Sequence, residues 1–227
     1  WNSVTRYNIA GIRYDENEFD NEDRFTQTIS QEFRYSLSRR VTLTGEYRFS
    51  HTNFAHSSQR DSDSNYILGG ADIHHSRRFT SHYRAGAQFR QDDLGDTTKP
   101  YGELAFRYKL AEKTSLHFAN RLGLEESELA GYQDRYTWRS VLTLRHQITS
   151  RLAGNTSLVF LHNNFEDGVV SGEDNDENLF SGNFGLSYRL FSNVDLNAKY
   201  SFTTVDSDNP FREYDRHRVS LGLGTTF

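Results

Sequence analysis

The side chains best placed to do chemistry in this chain are its arginines. Arginine stays charged at any working pH and presents a planar fork of donors to carboxylate or phosphate. Here arginines recur at alternate positions, each opposite a row of apolar residues. Arg24, Arg34, Arg48, Arg84, Arg90, Arg107, Lys109, Arg121, Arg135, Arg139, Arg145, Arg189, Lys199, Arg216 and Arg218 fall on the polar side of successive alternating segments. Those fifteen basic residues share that side with five acids, Glu32, Glu46, Asp72, Glu103 and Asp195. A wall with such a surplus of positive charge concentrates anions. Arg84, Arg107, Arg121 and Arg139 lie nearest mid-segment and are the expected selective zone. Arg48, Arg145 and Arg189 are further expected channel-lining residues.

Other chemistry has less to stand on. The chain has no cysteine, which excludes disulfides, thiolate catalysis and thiolate metal sites. Ser140 and His146 share an apolar face, but six residues along one strand is about 20 Å, far beyond the reach of a nucleophile–base pair. Asp215 and His217 sit together near the end of the chain, where an Asp-Arg-His stretch reads more simply as ordinary wall. His51, His74, His75, His82 and His162 are scattered and lack metal-ligand spacing. Asp174-Asn175-Asp176 and Asp206-Ser207-Asp208 are only fragments of an oxygen-ligand calcium loop. No metal, no cofactor and no enzymatic activity are expected. Basic residues committed to an inner wall leave no surface for nucleic acid.

These arginines need elements that turn them all to one side. Aromatic residues make up 14% of the chain, yet mean hydropathy is -0.79. No stretch approaches the 18 or so consecutive apolar residues of a membrane-spanning helix. Strands facing lipid on one side and water on the other need only one apolar residue in two. That alternation runs through the chain: Phe25, Ile29, Phe33 and Tyr35, then Val41, Leu43, Tyr47 and Phe49, then Leu104, Phe106, Tyr108 and Leu110. Short turns near residues 39, 77, 112, 150 and 192 alternate with long acidic loops, including 15–23, 52–64, 92–98, 125–134 and 163–178. Hairpin plus loop forms an internal repeat. It predicts an all-β fold, a transmembrane antiparallel up-and-down barrel of twelve strands in one domain, residues 1–227, with residues 1–14 pairing with 216–227. The phase of the first strand is open: Tyr7, Ile9 and Gly11 compete with Ala10, Ile12 and Tyr14, and a bulge would reconcile them. Short turns are expected at the periplasmic end and long loops outside the cell.

The closing stretch carries a resemblance. Val219, Leu221, Leu223 and Phe227 alternate to an aromatic last residue, with Thr225 departing from the pattern. This resembles the final strand of bacterial outer-membrane barrels, in which it is the insertion signal for the barrel assembly machinery. Tyr35–Leu43, Tyr108–Leu116 and Tyr188–Leu196 resemble the periplasmic hairpins of the β-barrel porins of Gram-negative bacteria, a group that includes barrels associated with polysaccharide export. The stretch from Ser207 to Val219 fits the same pattern. The resemblance implies a bacterial outer-membrane location and contact with membrane lipids and lipopolysaccharide, but is weak for substrate; with the basic excess on the polar side, the expected function is passive diffusion of small, anionic solutes. It leaves open an export conduit for an acidic exopolysaccharide working with periplasmic partners, a closed structural or adhesive barrel, and a place as the carboxy-terminal part of a larger barrel.

Overall fold

The computed structural model describes residues 1–13, 23–56, 60–93, 95–127, 132, 134–165 and 175–225. Among the described residues twelve strands follow one another: β1 (Asn2–Ile12), β2 (Arg24–Ser36), β3 (Val41–Phe54), β4 (Ser62–His74), β5 (Phe79–Asp92), β6 (Gly95–Ala111), β7 (Thr114–Glu126), β8 (Asp134–Gln147), β9 (Leu152–Phe165), β10 (Asn175–Phe191), β11 (Val194–Ser207) and β12 (Tyr214–Thr225). A 3-10 turn, Pro210–Arg212, precedes β12. The strands form a single sheet in chain order, each antiparallel to its neighbours, so the expected count and up-and-down order hold.

The short turns share a device. Ser38 Oγ accepts from the backbone N–H of Arg40 and Val41. Ser76 Oγ does the same for Arg78 and Phe79, and Thr149 Oγ1 for Arg151 and Leu152. A hydroxyl at the turn's first residue thus satisfies two backbone donors that the ladder cannot reach. Near the other short turns the register shifts between Lys109 and Ala111 and between Arg189 and Phe191.

Alternation sends one row outward and one inward. Phe33, Tyr47, Ile67, Leu142, Leu186 and Leu221 are exposed on the outer face. Leu104 and Phe106 lie on the same face, and Phe106 packs against Phe79, Tyr83 and Phe118. β1 runs in unbroken register with β2, with Tyr7 and Ile9 on the outer face and no bulge; Tyr14 lies outside the described residues.

Two expectations need correction. First, the strands, 11 to 17 residues long, run into stretches expected to be loops. β3 continues to Phe54, β7 to Glu126, β9 to Phe165, and β6 already begins at Gly95. Polar residues there find partners across the ladder: His51 with Asp63 at 2.7 Å, Asn53 with Asp61 at 2.8 Å, Asn164 with Asp176 at 2.8 Å. Cross-strand polar pairs support a strand as well as apolar ones do. Gly95, at φ +150°, takes a conformation that favours glycine, which tightens the β5–β6 connection. Second, β1 pairs with β2 and β12 with β11, and no β1–β12 ladder forms among the described residues. The reason lies in what bends the sheet. Among the described residues, side-chain bridges that skip a strand lie mostly between β1 and β8, the pair of Glu177 in β10 with Arg212 before β12 being an exception. The inner residues of β9–β11 bond mainly to adjacent strands, as Ser181 does to Thr203 and Thr137 to Asn163, and draw no distant edges together.

Candidate channel wall

The register places all fifteen predicted basic residues on the inner face, and adds Arg6 of β1. Their surroundings differ sharply. Glu32, only 1% exposed, accepts from Arg6 Nη2 at 2.7 Å and Arg84 Nη2 at 2.8 Å, with Arg34 Nε at 3.5 Å. Arg84 Nη1 also donates to Asp72 at 2.8 Å, and Asp72 further pairs with Arg34 and with His82 Nδ1 at 3.1 Å. Strands are about 4.8 Å apart, so β2 and β5 lie about 14 Å apart along the sheet; a direct Arg84–Glu32 contact requires a concave wall. Arg84 crosses Gly70, where a Cβ would stand 2.9 Å from Arg84 Cδ and 1.9 Å from the Tyr83 carbonyl oxygen. Glycine is what the close approach demands.

A second group joins β3 to β6. Arg48 Nε donates to Glu46 at 2.9 Å, and Nη1 donates to Glu103 at 3.1 Å and to the Tyr101 hydroxyl at 3.0 Å. The Tyr101 hydroxyl in turn donates to Glu103. In a third group, Glu125 pairs with Arg121, accepts from Arg135 Nη2 at 3.4 Å, and lies 3.8 Å from Arg139. Arg189 sits 3.7 Å from Asp195.

Of the four residues expected to form the selective zone, Arg84, Arg121 and Arg139 therefore have acidic neighbours. Arg107 has no ion pair among the described residues, and neither has Arg145. Arg107 lies opposite His117, with Arg145 one strand further, opposite Ser115. The fifteen-to-five ratio overstated the surplus because Glu125, Glu126 and Glu177, expected in loops, lie on strands. Each meets an arginine: Glu126 meets Arg90, and Glu177 meets Arg212 at 2.6 Å.

Two spaces follow. A cavity of about 580 Å³ lies among Arg6, Glu32, Arg48, Arg84, Glu103, Arg121 and Arg139. A wider, open one of about 1000 Å³ lies near the short turns, lined by Lys109, Lys113, Arg145, Thr143, Asn155, Ser157 and Ser187.

One feature of the wall went unforeseen. The β6–β7 ladder stops at Gly102–Leu122, although β6 stays paired with β5 as far as Gly95. Two residues further, Pro100 would have to donate to β7, and proline has no N–H. Gln88 of β5 takes over. Its Oε1 accepts from the Leu124 N–H at 2.9 Å, and its Nε2 donates to the Leu124 carbonyl at 3.3 Å. A side-chain amide thus replaces a strand. The end of β7 swings onto the inner side of β6, where the Tyr101 ring lies so close to Gly123 that a Cβ there would be 2.5 Å from it. Glu126 then accepts from Arg90 Nη1 at 3.0 Å and Nη2 at 2.5 Å, and from Ser62 Oγ at 3.1 Å. Arg60 donates to the Ser127 carbonyl at 2.6 Å. The signal in the sequence was Pro100 itself, which falls between strand candidates there although β6 runs through it.

The remaining candidates stay apart. Ser140 accepts from Asn120 Nδ2 at 2.6 Å, and His146 Nδ1 pairs with Thr114 at 2.8 Å. His217 Nδ1 pairs with the Tyr200 hydroxyl at 2.9 Å. Val219, Leu221 and Leu223 share the exposed outer face of β12, and Phe227 lies outside the described residues.

The fold is similar to those of solved barrels far from it in sequence. Against the FrpB iron transporter from Neisseria meningitidis the TM-score is 0.61 at 10% identity, covering 90% of this chain and 40% of that one. Against the chain in the FpvAI–pyocin S2 complex it is 0.57 at 10% identity, covering 99% and 42%. Against the ferric yersiniabactin uptake receptor FyuA from Yersinia pestis it is 0.50 at 11% identity, covering 91% and 37%. The chain thus spans about two-fifths of the length of these proteins. No curated protein matches it in sequence. A family model does, over residues 49–227, from mid-β3 through the Pro100 break to the final strand, and with that match the chain belongs to the family described as "Putative beta-barrel porin 2".

Proposed function

We propose that this chain walls an outer-membrane channel for passive diffusion of small anionic solutes, and that Arg107 and Arg145 carry its preference. The supporting observation is the difference among the inner arginines. Arg84, Arg48, Arg121 and Arg189 have acids beside them, so their fields are largely cancelled at a distance. Arg107 and Arg145 are exposed in the short-turn half, where Lys109 adds a third positive charge to the same wall. The long loops face outward from the cell in this reading, toward lipopolysaccharide, with the exposed row of β12 offered to the assembly machinery. The domain is one, residues 1–227.

Reconstituted protein in planar bilayers under a salt gradient tests this. The reversal potential should show chloride passing more readily than potassium, with the preference falling as ionic strength rises, since fields there decay over about 8 Å at 0.15 M salt. Arg107→Gln with Arg145→Gln should move it toward cation preference. Cation preference in the unaltered protein would refute the reading. An acidic polysaccharide would meet the same groups; a polyuronate that blocks chloride current without itself crossing would count for diffusion over export.

A further inference from the structure

We propose that Gln88 and Arg90 are positioning residues for the channel's size limit: they hold the end of β7 across the inner wall, and that crossing is the narrowest part of the path. The inference rests on the channel reading above but concerns different residues and a different property, sieving rather than charge.

The inner faces of β4 and β5 near the long-loop end are covered. Gln88 is 1% exposed and Arg90 3%, while Ser62 and Ser64 are also buried. These residues point to the concave side, where Arg107, Lys109 and Arg145 stand exposed. What covers them is the end of β7. Once Pro100 denies it a place beside β6, β7 is fastened instead by the Gln88 amide at Leu124 and by the two-pronged Arg90–Glu126 pair. A bidentate guanidinium–carboxylate pair fixes orientation as well as distance. Arg90 Nε lies 3.5 Å from Asp134, so the start of β8 is drawn in with it. An arginine so deeply buried requires its partners, because an uncompensated buried charge is strongly destabilising. The crossing is therefore a fixed bar. The cavity beside Arg48, Glu103 and Arg121 lies on its short-turn side, and Tyr101, against Gly123 of the crossing, hydrogen-bonds the Arg48 and Glu103 side chains that line it.

Gln88→Ala and Glu126→Gln cut separate parts of the fastening. Both variants and the unaltered protein are reconstituted in liposomes, and swelling is measured with neutral sugars of increasing size, each variant's fold being checked by the heat-dependent shift of its gel mobility. The expected result is a shift of the size limit to larger sugars in each variant, with anion preference retained. In a third variant, the pair S62C/E126C, a short thiol-to-thiol cross-linker should form a link and return the limit to that of the unaltered protein; the chain has no native cysteine to interfere. A folded pair of variants with unchanged limits overturns the proposal and leaves the channel reading standing, as does a link that forms without restoring the limit. An unaltered protein that admits no sugar and carries no current overturns both.

Discussion

Arg84 and Arg107 are indistinguishable by type and by phase, yet the fold gives them opposite work. Arg84 is a structural strut between two buried acids, Glu32 and Asp72. Arg84→Gln should therefore cost stability, about 3 kcal/mol, the low end for breaking a buried pair, because Arg6 and Arg34 still partly compensate the acids. The urea midpoint of the protein in lipid vesicles reads this, and the reversal potential should hardly move. Arg107→Gln should show the reverse, little change in midpoint and a clear change in selectivity. If both substitutions shifted selectivity equally, the pairing around Arg84 would not be cancelling its field.

At the level of strands, Gln88 substitutes for the ladder at Leu124. Gln88→Ala should leave the Leu124 N–H and carbonyl without partners, a local cost of about 1–3 kcal/mol. Hydrogen exchange at the Leu124 amide should quicken while the Leu122 amide, next to the intact ladder, keeps its protection. Most strands were legible in the sequence because alternation and hydroxyl-headed turns are local: Ser38, Ser76 and Thr149 each announce a hairpin. The inner face was legible for the same reason. Ion pairing was not, because Glu32 and Arg84 lie 52 positions apart and only the bend of the sheet brings them together. Strand ends at His51, Asn53 and Asn164 were hidden because polar composition was equated with loop, whereas their partners lie across the ladder. The first strand's phase was settled by its register with β2, which periodicity in an isolated segment cannot supply.

For the whole molecule, the two faces make a joint prediction. Leu142 is exposed on the outer face and Thr143 next to it points inward. Leu142→Arg should cost about 2–4 kcal/mol if it lies near the bilayer midplane, seen as a fall in the folded fraction recovered from membranes, and Thr143→Arg should be tolerated. Equal tolerance at both positions would argue that the outer row does not meet lipid. The uneven distribution of bridges across the concave side has a mechanical consequence. β1 to β8 are cross-braced by Glu32, Asp72, Glu103 and Glu126, whereas β9 to β12 are joined mostly neighbour to neighbour. Pulled from its carboxy-terminal end by the tip of a force microscope, the protein should unravel as two materials. The last four strands should peel away singly at low, even force, like a zip, and the trace should then climb to a higher peak where the braced eight begin to yield.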